Sequence, residues 1–553
     1  MEKFWLKNYV KGVPAEINPD QYHSIVEILD ESAIAYANNP AFYSMGTTLT
    51  FQQTEQYSQV FAAYLQQVLN LKKGDRVAIM LPNLLQYPMV MQGILRAGLT
   101  VVNVNPLYTV PELVHQLKDA GAETIIVLSN FAKTVQKAWP DTELKHVIVT
   151  DIGDMLSWPK AAFIKFYLTY IKKKIPAWNM PQAIPFKKVL AEGKSLTFEP
   201  VTIAPEDIAF LQYTGGTTGV SKGAILTHRN IVANILQAEA WFQPQFERGK
   251  EIIVTALPLY HIFSLTANCL FLNKIGGMNV LIANARDVGA MISEIKKFKI
   301  TVITGVNTLF NSLVKHPKFT TCNFSRLKVA LGGGMAVQGV IANRWQEITG
   351  VPILEAYGLT ETSPCVAINS TDTRAYTGTV GVPVPSTLVN ILDDNGFEVP
   401  VGKSGELSIK GPQVMRGYWK NPIETQKVFT RDGWLLTGDI ASFDERGFLR
   451  ILERKKDMIL VSGFNVYPNE IEDVLVRMPG VREAAVVGVP DENSGEVPKA
   501  FLVLDDKTIT KEKIRQFCRT ELTGYKVPKQ FEFCDELPKT NVGKVMRRAL
   551  KQP

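Results

Sequence analysis

The first two-thirds of the chain alternate short apolar runs with segments in which apolar residues recur at helical spacing. Residues 76–81, 124–128 and 328–331 are apolar runs bounded by polar residues, as in buried strands. Residues 55–68 and 110–120 have the periodicity of amphipathic helices. This alternation predicts an α/β fold of layered subdomains with parallel sheet.

The pattern changes near residue 377, where the apolar runs become shorter and are separated by Asp/Gly turns. Short strands are predicted at 388–392, 405–409 and 447–452. A small β-rich subdomain therefore follows the layered α/β part.

A second change follows a charged run at 453–457. Beyond it the pattern predicts a compact α+β unit with a helix, two strands and a helix at 469–478, 483–489, 500–504 and 511–522. We therefore expect a large N-terminal domain, 1–453, whose β-rich subdomain covers about 377–453. A small, mobile C-terminal domain, 454–553, completes the chain.

Composition excludes several classes of protein. The 553 residues are 46% hydrophobic and 20% charged, which argues against disorder, and the length suggests two to four domains. A net charge of +7 is a mild bias that suits acidic small molecules or an anionic membrane surface, and we expect no nucleic-acid binding. The five cysteines form no C-x-x-C pair, and Lys3, Lys7 and Lys11 interrupt any signal-peptide core, so a cytoplasmic location is expected.

One stretch carries unusual chemistry: Y-T-G-G-T-T-G-V-S-K-G-A, from Tyr213 to Ala224. Its glycines let backbone N–H groups point inward, its hydroxyl side chains add donors, and Lys222 adds positive charge, so the stretch predicts a phosphate-binding loop. It fails the Walker A pattern because Lys222 is followed by Gly223. It is also flanked by two predicted strands, 208–213 and 223–227, and the next helix begins only afterwards, with Thr227 or Asn230 as its cap.

Taken whole, this loop resembles the signature loop of the AMP-forming, adenylate-forming superfamily, which includes acyl-CoA synthetases, luciferases and peptide-synthetase adenylation domains. Later stretches resemble further motifs of the superfamily in order: Y-G-L-T-E-T at 357–362, G-E-L at 405–407, G-Y at 417–418, W-L-L-T-G-D at 434–439, R-K-K-D at 454–457 and P-K-T-N-V-G-K at 538–544. The overall pattern is most like that of bacterial long-chain fatty acyl-CoA synthetases.

The resemblance implies a two-step reaction. A carboxylate attacks the α-phosphate of ATP, giving acyl-AMP and pyrophosphate, and the thiol of CoA then displaces AMP. The acyl-CoA product would feed fatty-acid degradation or lipid synthesis. Because two anions must meet in the first step, we expect catalysis by positioning and charge neutralisation, with Mg²⁺ as cofactor.

The resemblance also assigns residues. The catalytic set is Lys544, Thr217, Glu361 and Lys222, with Thr217 and Glu361 as magnesium ligands. The ATP-binding set is Tyr213, Thr214, Gly215, Gly216, Thr217, Thr218, Gly219, Ser221, Lys222, Gly333, Gly334, Glu355, Ala356, Tyr357, Gly358, Thr360, Asp439 and Arg454. Lys456 is the expected pivot of a hinge, Ser462, Gly463 and Phe464 approach CoA, and the acyl pocket holds His261, Thr266, Val306 and Phe310. Several members of the superfamily carry a lysine just before the Ser-Gly turn, but this chain has Leu460 and Val461 there, so that phosphate contact is not carried over.

The sequence constrains the acid substrate less than it constrains the reaction. A long-chain fatty acid is the leading hypothesis, an aryl or medium-chain acid is the close alternative, and a non-catalytic fatty-acid carrier is the alternative of another class. A peptide-synthetase-like module would need a carrier protein, and we expect no attached carrier domain, because nine residues remain after Lys544. The aromatic stretch 161–171 with lysines at 172–174 is too short to span a bilayer but could lie on an anionic membrane at its inner face. An ordinary surface helix explains it equally well, and a homodimer is left open.

Overall fold

The computed structural model describes residues 3–166, 171, 175–214, 221–492, 494–540 and 543–551. Its strands are β1 Pro40–Ser44, β2 Thr47–Thr50, β3 Arg76–Met80, β4 Thr100–Asn103, β5 Thr124–Leu128, β6 His146–Thr150, β7 Ile184–Pro185, β8 Ile208–Tyr213, β9 Gly223–Thr227, β10 Ile252–Thr255, β11 Met278–Leu281, β12 Val302–Gly305, β13 Val329–Gly332, β14 Ile353–Gly358, β15 Cys365–Ile368, β16 Val382–Pro383, β17 Leu388–Leu392, β18 Gly405–Lys410, β19 Leu435–Phe443, β20 Leu449–Arg454, β21 Ile459–Val461, β22 Phe464–Val466, β23 Val481–Asp491, β24 Gly495–Leu504 and β25 Gln530–Phe533.

Helices connect most of these strands. They are α1 Ile25–Ala35, α2 Phe51–Gln67, α3 Gln86–Arg96, α4 Val110–Ala120, α5 Ala132–Ala138, α6 Trp158–Phe166, α7 Phe186–Gly193, α8 His228–Phe242, α9 Ile262–Ser264, α10 Phe271–Lys274, α11 Val288–Ile295, α12 Asn307–Lys315, α13 Gly339–Thr349, α14 Pro422–Val428, α15 Pro468–Arg477, α16 Lys511–Glu521 and α17 Arg547–Lys551.

Two large sheets form the layered α/β part, as predicted. A seven-stranded sheet has the order β7-β6-β5-β3-β4-β8-β9, and a nine-stranded sheet has the order β16-β15-β14-β13-β12-β10-β11-β1-β2. Pairing is parallel through the middle of both sheets and antiparallel at the β8–β9, β1–β2 and β14–β15–β16 edges. Helix α3 is buried along its whole length, including its polar residues Gln86, Gln92 and Arg96.

Two smaller sheets follow. Strands β17 to β20 form an antiparallel sheet in chain order, and β22-β21-β24-β23 with β25 form a separate sheet flanked by α15 and α16. The sequence predicts both units. Some predicted ends are wrong: β24 begins at Gly495 because it pairs with β23 over its full length, and α2 begins at Phe51 because Thr50 and Gln53 form a capping box.

The long uncharged stretch at 252–273 is strand β10 followed by α9, a π-helical turn at Leu265–Leu270 and the start of α10. Most of its side chains are buried in the protein core. In the part of the chain that the structure describes, no helix combines the length and the apolar character needed to cross a membrane.

Candidate active site

A cavity of about 2490 Å³ opens where the parallel strands of the large sheets end at their carboxyl termini and where the C-terminal segment folds back. Ligands of open α/β sheets bind at this edge, outside the carboxyl ends of the strands. Most of the predicted site residues line this cavity: Tyr213, Thr214, Ser221, Lys222, His261, Thr266, Val306, Gly333, Gly334, Glu355, Ala356, Tyr357, Gly358, Thr360, Glu361, Asp439, Arg454, Lys456 and Lys544.

The predicted phosphate loop connects β8 to β9, the two strands that the sequence predicted on either side of it, and these strands pair antiparallel. The backbone N–H of Thr214 donates to the carbonyl of Lys222 at 3.0 Å and closes the base of the loop. The hydroxyl of Tyr213 donates to Asp119 at 2.5 Å, and burial together with this carboxylate raises the pKa of the phenol above its usual range. Gly215, Gly216, Thr217, Thr218 and Gly219 lie outside the described residues.

Two of the predicted catalytic side chains converge on Tyr418. Its hydroxyl donates to Glu361 Oε1 at 2.7 Å, and the Lys222 ammonium lies 4.8 Å from the centre of its ring. Lys222 also pairs with Glu424 of α14. Hydrogen bonds from Lys222 and Lys427 lower the pKa of Glu424 to about 2. The G-Y motif contains Tyr418, but nothing in its sequence pattern assigned a role to Tyr418 or Glu424.

Asp439 and Arg454 form another wall of the cavity. They face each other across β19 and β20, and Arg454 Nε lies 2.7 Å from Asp439 Oδ1. The hydroxyl of Tyr357 donates to Asp439 Oδ2 at 2.5 Å. Burial, and then the charge of Asp439, raise the pKa of the Tyr357 phenol well above its usual range. Arg454 and Tyr357 therefore hold the Asp439 carboxylate in a fixed position at the cavity wall.

Glu355 lies within β14, opposite Gly332 at the end of β13, and the Gly333–Gly334 pair follows that strand. Glu355 Oε1 accepts from the backbone N–H of Val337 at 3.2 Å, whereas nothing in the described ranges hydrogen-bonds to its buried Oε2. Burial raises the pKa of this carboxyl to about 8. A Cβ at Gly333 would lie 3.1 Å from the Phe263 ring and 3.3 Å from the Ala356 carbonyl. Only glycine therefore leaves this part of the cavity open.

Lys544 ends a tight turn that enters the cavity. The backbone N–H of Thr540 donates to the Lys544 carbonyl at 2.7 Å, and the Lys544 N–H donates to the Thr540 hydroxyl at 3.1 Å. Burial and, to a smaller extent, the charge of Arg454 lower the pKa of the Lys544 ammonium to about 8. The charge of Asp439 acts in the opposite direction. The near-terminal lysine is thus held inside the site.

The predicted acyl-pocket residues separate into two groups. His261, Thr266 and Val306 line the cavity, and burial lowers the pKa of His261 to about 4. Phe310 lies outside the cavity lining; it is fully buried and packs edge-on against Trp345 with 4.9 Å between ring centres. An apolar side chain suits a ligand pocket and a protein core equally well, and the position of α12 places Phe310 in the core.

Three phenylalanines that the sequence did not single out also line the cavity. Phe242 and Phe246 stack with 5.1 Å between ring centres, and Phe271 lies 6.0 Å from the first and 6.1 Å from the second. Phe242 ends α8, Phe246 follows that helix, and Phe271 starts α10. Their spacing carries no sequence signal that distinguishes a pocket from a core.

The residues predicted to bind CoA lie away from this cavity. Ser462 and Gly463 form the turn between β21 and β22 with φ values of 50° and 85°. Phe464 is 56% exposed and stacks on Tyr525 with 4.8 Å between ring centres. Lys456 lies in the turn after β20, between the sheet of β17–β20 and the sheet of β21–β25.

Comparisons with known proteins agree with this geometry. The family of AMP-binding enzymes matches residues 29–419, and the C-terminal domain of AMP-binding enzymes matches residues 470–544. The chain belongs to the AMP-binding enzyme family. The resemblance to AMP-forming acyl-CoA synthetases that the motifs indicated is thereby confirmed.

Curated relatives match this AMP-binding enzyme over its whole length. A long-chain-fatty-acid–CoA ligase of Escherichia coli O6:H1 is 55% identical, covering 100% of this chain and 98% of the relative. One of Haemophilus influenzae is 50% identical with the same coverage. Among solved structures, an anthranilate CoA ligase in complex with anthranoyl-AMP has a TM-score of 0.85 at 25% identity, covering 97% of this chain and 98% of that one.

Proposed function

We propose that this AMP-binding enzyme is a long-chain fatty acid–CoA ligase. The observation that carries the proposal is the pair of whole-length relatives of that name at 50% and 55% identity. In the first step a carboxylate oxygen of the fatty acid attacks the α-phosphorus of ATP, and the bond to the pyrophosphate oxygen breaks. In the second step the sulfur of CoA attacks the acyl carbonyl, AMP leaves, and the thiol proton passes to solvent.

The charged wall of the cavity suits the first step. Lys222 and the phosphate loop would hold the pyrophosphate part of ATP, and Lys544 would reach the reacting carboxylate and α-phosphate oxygens. Both ammonium groups supply positive charge where two anions meet. Lys544 is held in a low-dielectric site, where its charge acts more strongly than it would in water.

Magnesium fits the residues present. Glu361 brings a carboxylate to the cavity, and oxygen ligands of this kind, completed by phosphates and water, are what Mg²⁺ prefers. Thr217, outside the described residues, would be its second protein ligand. When bound, the ion neutralises charge on phosphate oxygens.

The nucleoside would lie against the opposite wall. Asp439 would accept hydrogen bonds from the ribose hydroxyls, with Tyr357 and Arg454 fixing its carboxylate in place. Gly333, Gly334, Glu355 and Ala356 would surround the adenine. Gly358, Thr360, Thr214 and Ser221 complete the ATP-binding set, together with Tyr213 at the base of the loop.

The second step requires a different arrangement, because the CoA-binding turn lies away from the cavity. We propose that residues 454–553 act as a mobile C-terminal domain against an N-terminal domain, 1–453, which includes a β-rich subdomain at about 377–453. Rotation at Lys456 would remove Lys544 and bring Ser462, Gly463 and Phe464 towards the acyl-adenylate. The exposed positions of these three residues support this assignment.

The fatty acid would occupy the apolar part of the cavity. Its carboxylate would lie near His261, with Thr266 and Val306 along the chain, and its methyl end would point towards Phe242, Phe246 and Phe271. Phe310 is not part of this proposal, since it packs in the core.

The proposed substrate and helix α6 support a peripheral membrane location. Phe163 and Phe166 on this helix are 64% and 55% exposed, and Ile171 is 58% exposed. Residues 167–170 and 172–174 lie outside the described residues. We propose that 161–174 binds the anionic inner face of the membrane, where aromatic rings and lysines both find favourable surroundings.

Phe163→Ser with Phe166→Ser should lower cosedimentation with phosphatidylglycerol vesicles, and unchanged cosedimentation would exclude this site.

The proposed activity is tested by pyrophosphate release with ATP and Mg²⁺, using octanoate, laurate, palmitate, oleate and 4-coumarate, with and without CoA. A CoA-stimulated rate that is highest for palmitate or oleate is expected. Release with coumarate alone would retain the mechanism and exclude the lipid substrate. Release with none of the acids would exclude the ligase.

A further inference from the structure

Arg547 lies three residues after Lys544, at the start of α17, and its guanidinium is largely buried. It donates to Glu453 Oε1 at 2.9 Å, to Asn469 Oδ1 at 2.6 Å and to both carboxylate oxygens of Glu472 at 2.9 Å. The rigid fork of donors in arginine allows one side chain to hold several acceptors in fixed directions.

These partners belong to different parts of the molecule. Glu453 lies in β20, in the sheet before the hinge turn, whereas Asn469 and Glu472 lie on α15 beyond it. Asn469 strengthens the same junction, because its backbone N–H donates to Glu453 Oε2 and its side chain donates to the Leu452 carbonyl, both at 3.1 Å. Arg547 therefore ties the segment that carries Lys544 to both sides of the hinge.

The two carboxylates depend on this arginine. The side chain of Glu453 is 1% exposed and that of Glu472 is 16% exposed. Burial and the nearby charge of Glu472 act to keep Glu453 protonated, and the charge of Arg547 opposes them. Without the guanidinium, two neighbouring carboxylates would be buried with no cation between them, which strongly disfavours this arrangement of the two sides.

We propose that Arg547 is a positioning residue for the adenylation half-reaction: it holds the C-terminal segment in the arrangement that places Lys544 inside the cavity. The proposal rests on the proposed ligase function. Acyl transfer to CoA needs Lys544 to leave, so Arg547 has no part in that step. Loss of Arg547 should impair the two half-reactions unequally, which general damage to the fold would not do.

The test uses the full-length enzyme and measures the half-reactions separately. Adenylation is followed as oleate-dependent exchange of pyrophosphate into ATP, and transfer as CoA-dependent consumption of supplied oleoyl-adenylate. Arg547→Gln should lower the exchange rate about thirtyfold or more and change transfer less than about threefold. Arg519→Gln, an exposed arginine of the same domain, should change neither rate. Equal losses in both half-reactions, or no loss in exchange, would overturn the proposal.

Glu453→Gln provides the second variant, in case Arg547→Gln folds poorly. It keeps the contacts of Arg547 with Glu472 and Asn469 and weakens the contacts that Glu453 makes across the hinge with Arg547 and with the Asn469 N–H, so it should produce the same unequal loss. If Glu453→Gln leaves exchange unchanged, the contact across the hinge does not position Lys544 and the proposal fails. Failure of the unaltered enzyme to form oleoyl-CoA would instead exclude the proposed function itself.

Discussion

The ammonium group of Lys222 lies 2.6 Å from a carboxylate oxygen of Glu424. Lys222 must exchange this partner for phosphate oxygens if it binds ATP as proposed. Both side chains are partly exposed, so the pair is weak and easily exchanged. Glu424→Gln should therefore lower the KM for ATP about two- to fivefold at low salt, and Lys222→Ala should raise it.

Steady-state kinetics at low and high ionic strength check this prediction. Asp432→Asn, which changes an exposed carboxylate elsewhere in the same subdomain, is the matched control. A higher KM for ATP in Glu424→Gln would show instead that Glu424 holds Lys222 in the productive position.

Adenylation should lose rate as the pH rises through about 8. Burial lowers the pKa of Lys544 to about 8, and only the protonated amine supplies the charge that the first step needs. The charged groups that act on it are Arg454 and Arg547, which lower its pKa, and Asp439 and Asp457, which raise it; His261 is also near.

The measurement is kcat/KM for fatty acid in pyrophosphate exchange as a function of pH. Asp457→Asn should move the falling limb to lower pH, because it removes a carboxylate that favours the ammonium form. Lys544→Arg should be slow but should lack the falling limb, since guanidinium does not titrate in this range. If kcat/KM of Lys544→Arg still falls at high pH as it does in the unaltered enzyme, a group other than Lys544 causes that fall.

Gly543 is required by the close fit of the Lys544 turn. A Cβ there would lie 2.3 Å from the Thr308 hydroxyl, and the residue has a φ of 85°, which favours glycine. Gly543→Ala should lower pyrophosphate exchange about tenfold or more by lifting Lys544 from the cavity. Adding Thr308→Ala should restore part of the rate, because it removes the clash but not the backbone strain.

Gly524→Ala is the control, since nothing lies within 4 Å of its Cβ position and its backbone conformation is an ordinary one. Full activity in Gly543→Ala would show that the turn tolerates displacement.

Phe246 should help to set the preferred chain length. It is half-buried at the cavity wall beside Phe242 and Phe271, so its ring can be changed without opening the core. Phe246→Ala should raise the ratio of kcat/KM for oleate over laurate about tenfold, and Phe246→Trp should lower it. Phe533→Ala, at an exposed ring of the C-terminal sheet, should leave the ratio unchanged. Equal ratios in both Phe246 variants would place the methyl end of the substrate elsewhere.

Local sequence patterns determine much of this protein. The pattern of apolar residues predicts β5 and α4 with the bounds that the structure has, because a fully buried strand is a continuous apolar run and a helix buried on one face has the helical period. The assignment of the loop from Tyr213 to Ala224 to phosphate stays a prediction, and it rests on backbone geometry and donors within twelve residues. Its flanking strands and the Thr227 cap are likewise present.

Local sequence patterns do not predict contacts between residues that are far apart in the chain. The tertiary structure alone brings Glu424 to Lys222, Tyr418 to Glu361, and Arg547 to Glu453, since each contact depends on how whole sheets and helices pack. It also decides that Phe310 belongs to the core while Phe246 lines the cavity. Apolar side chains satisfy the same periodicity in a core or in a pocket, and only packing distinguishes the two.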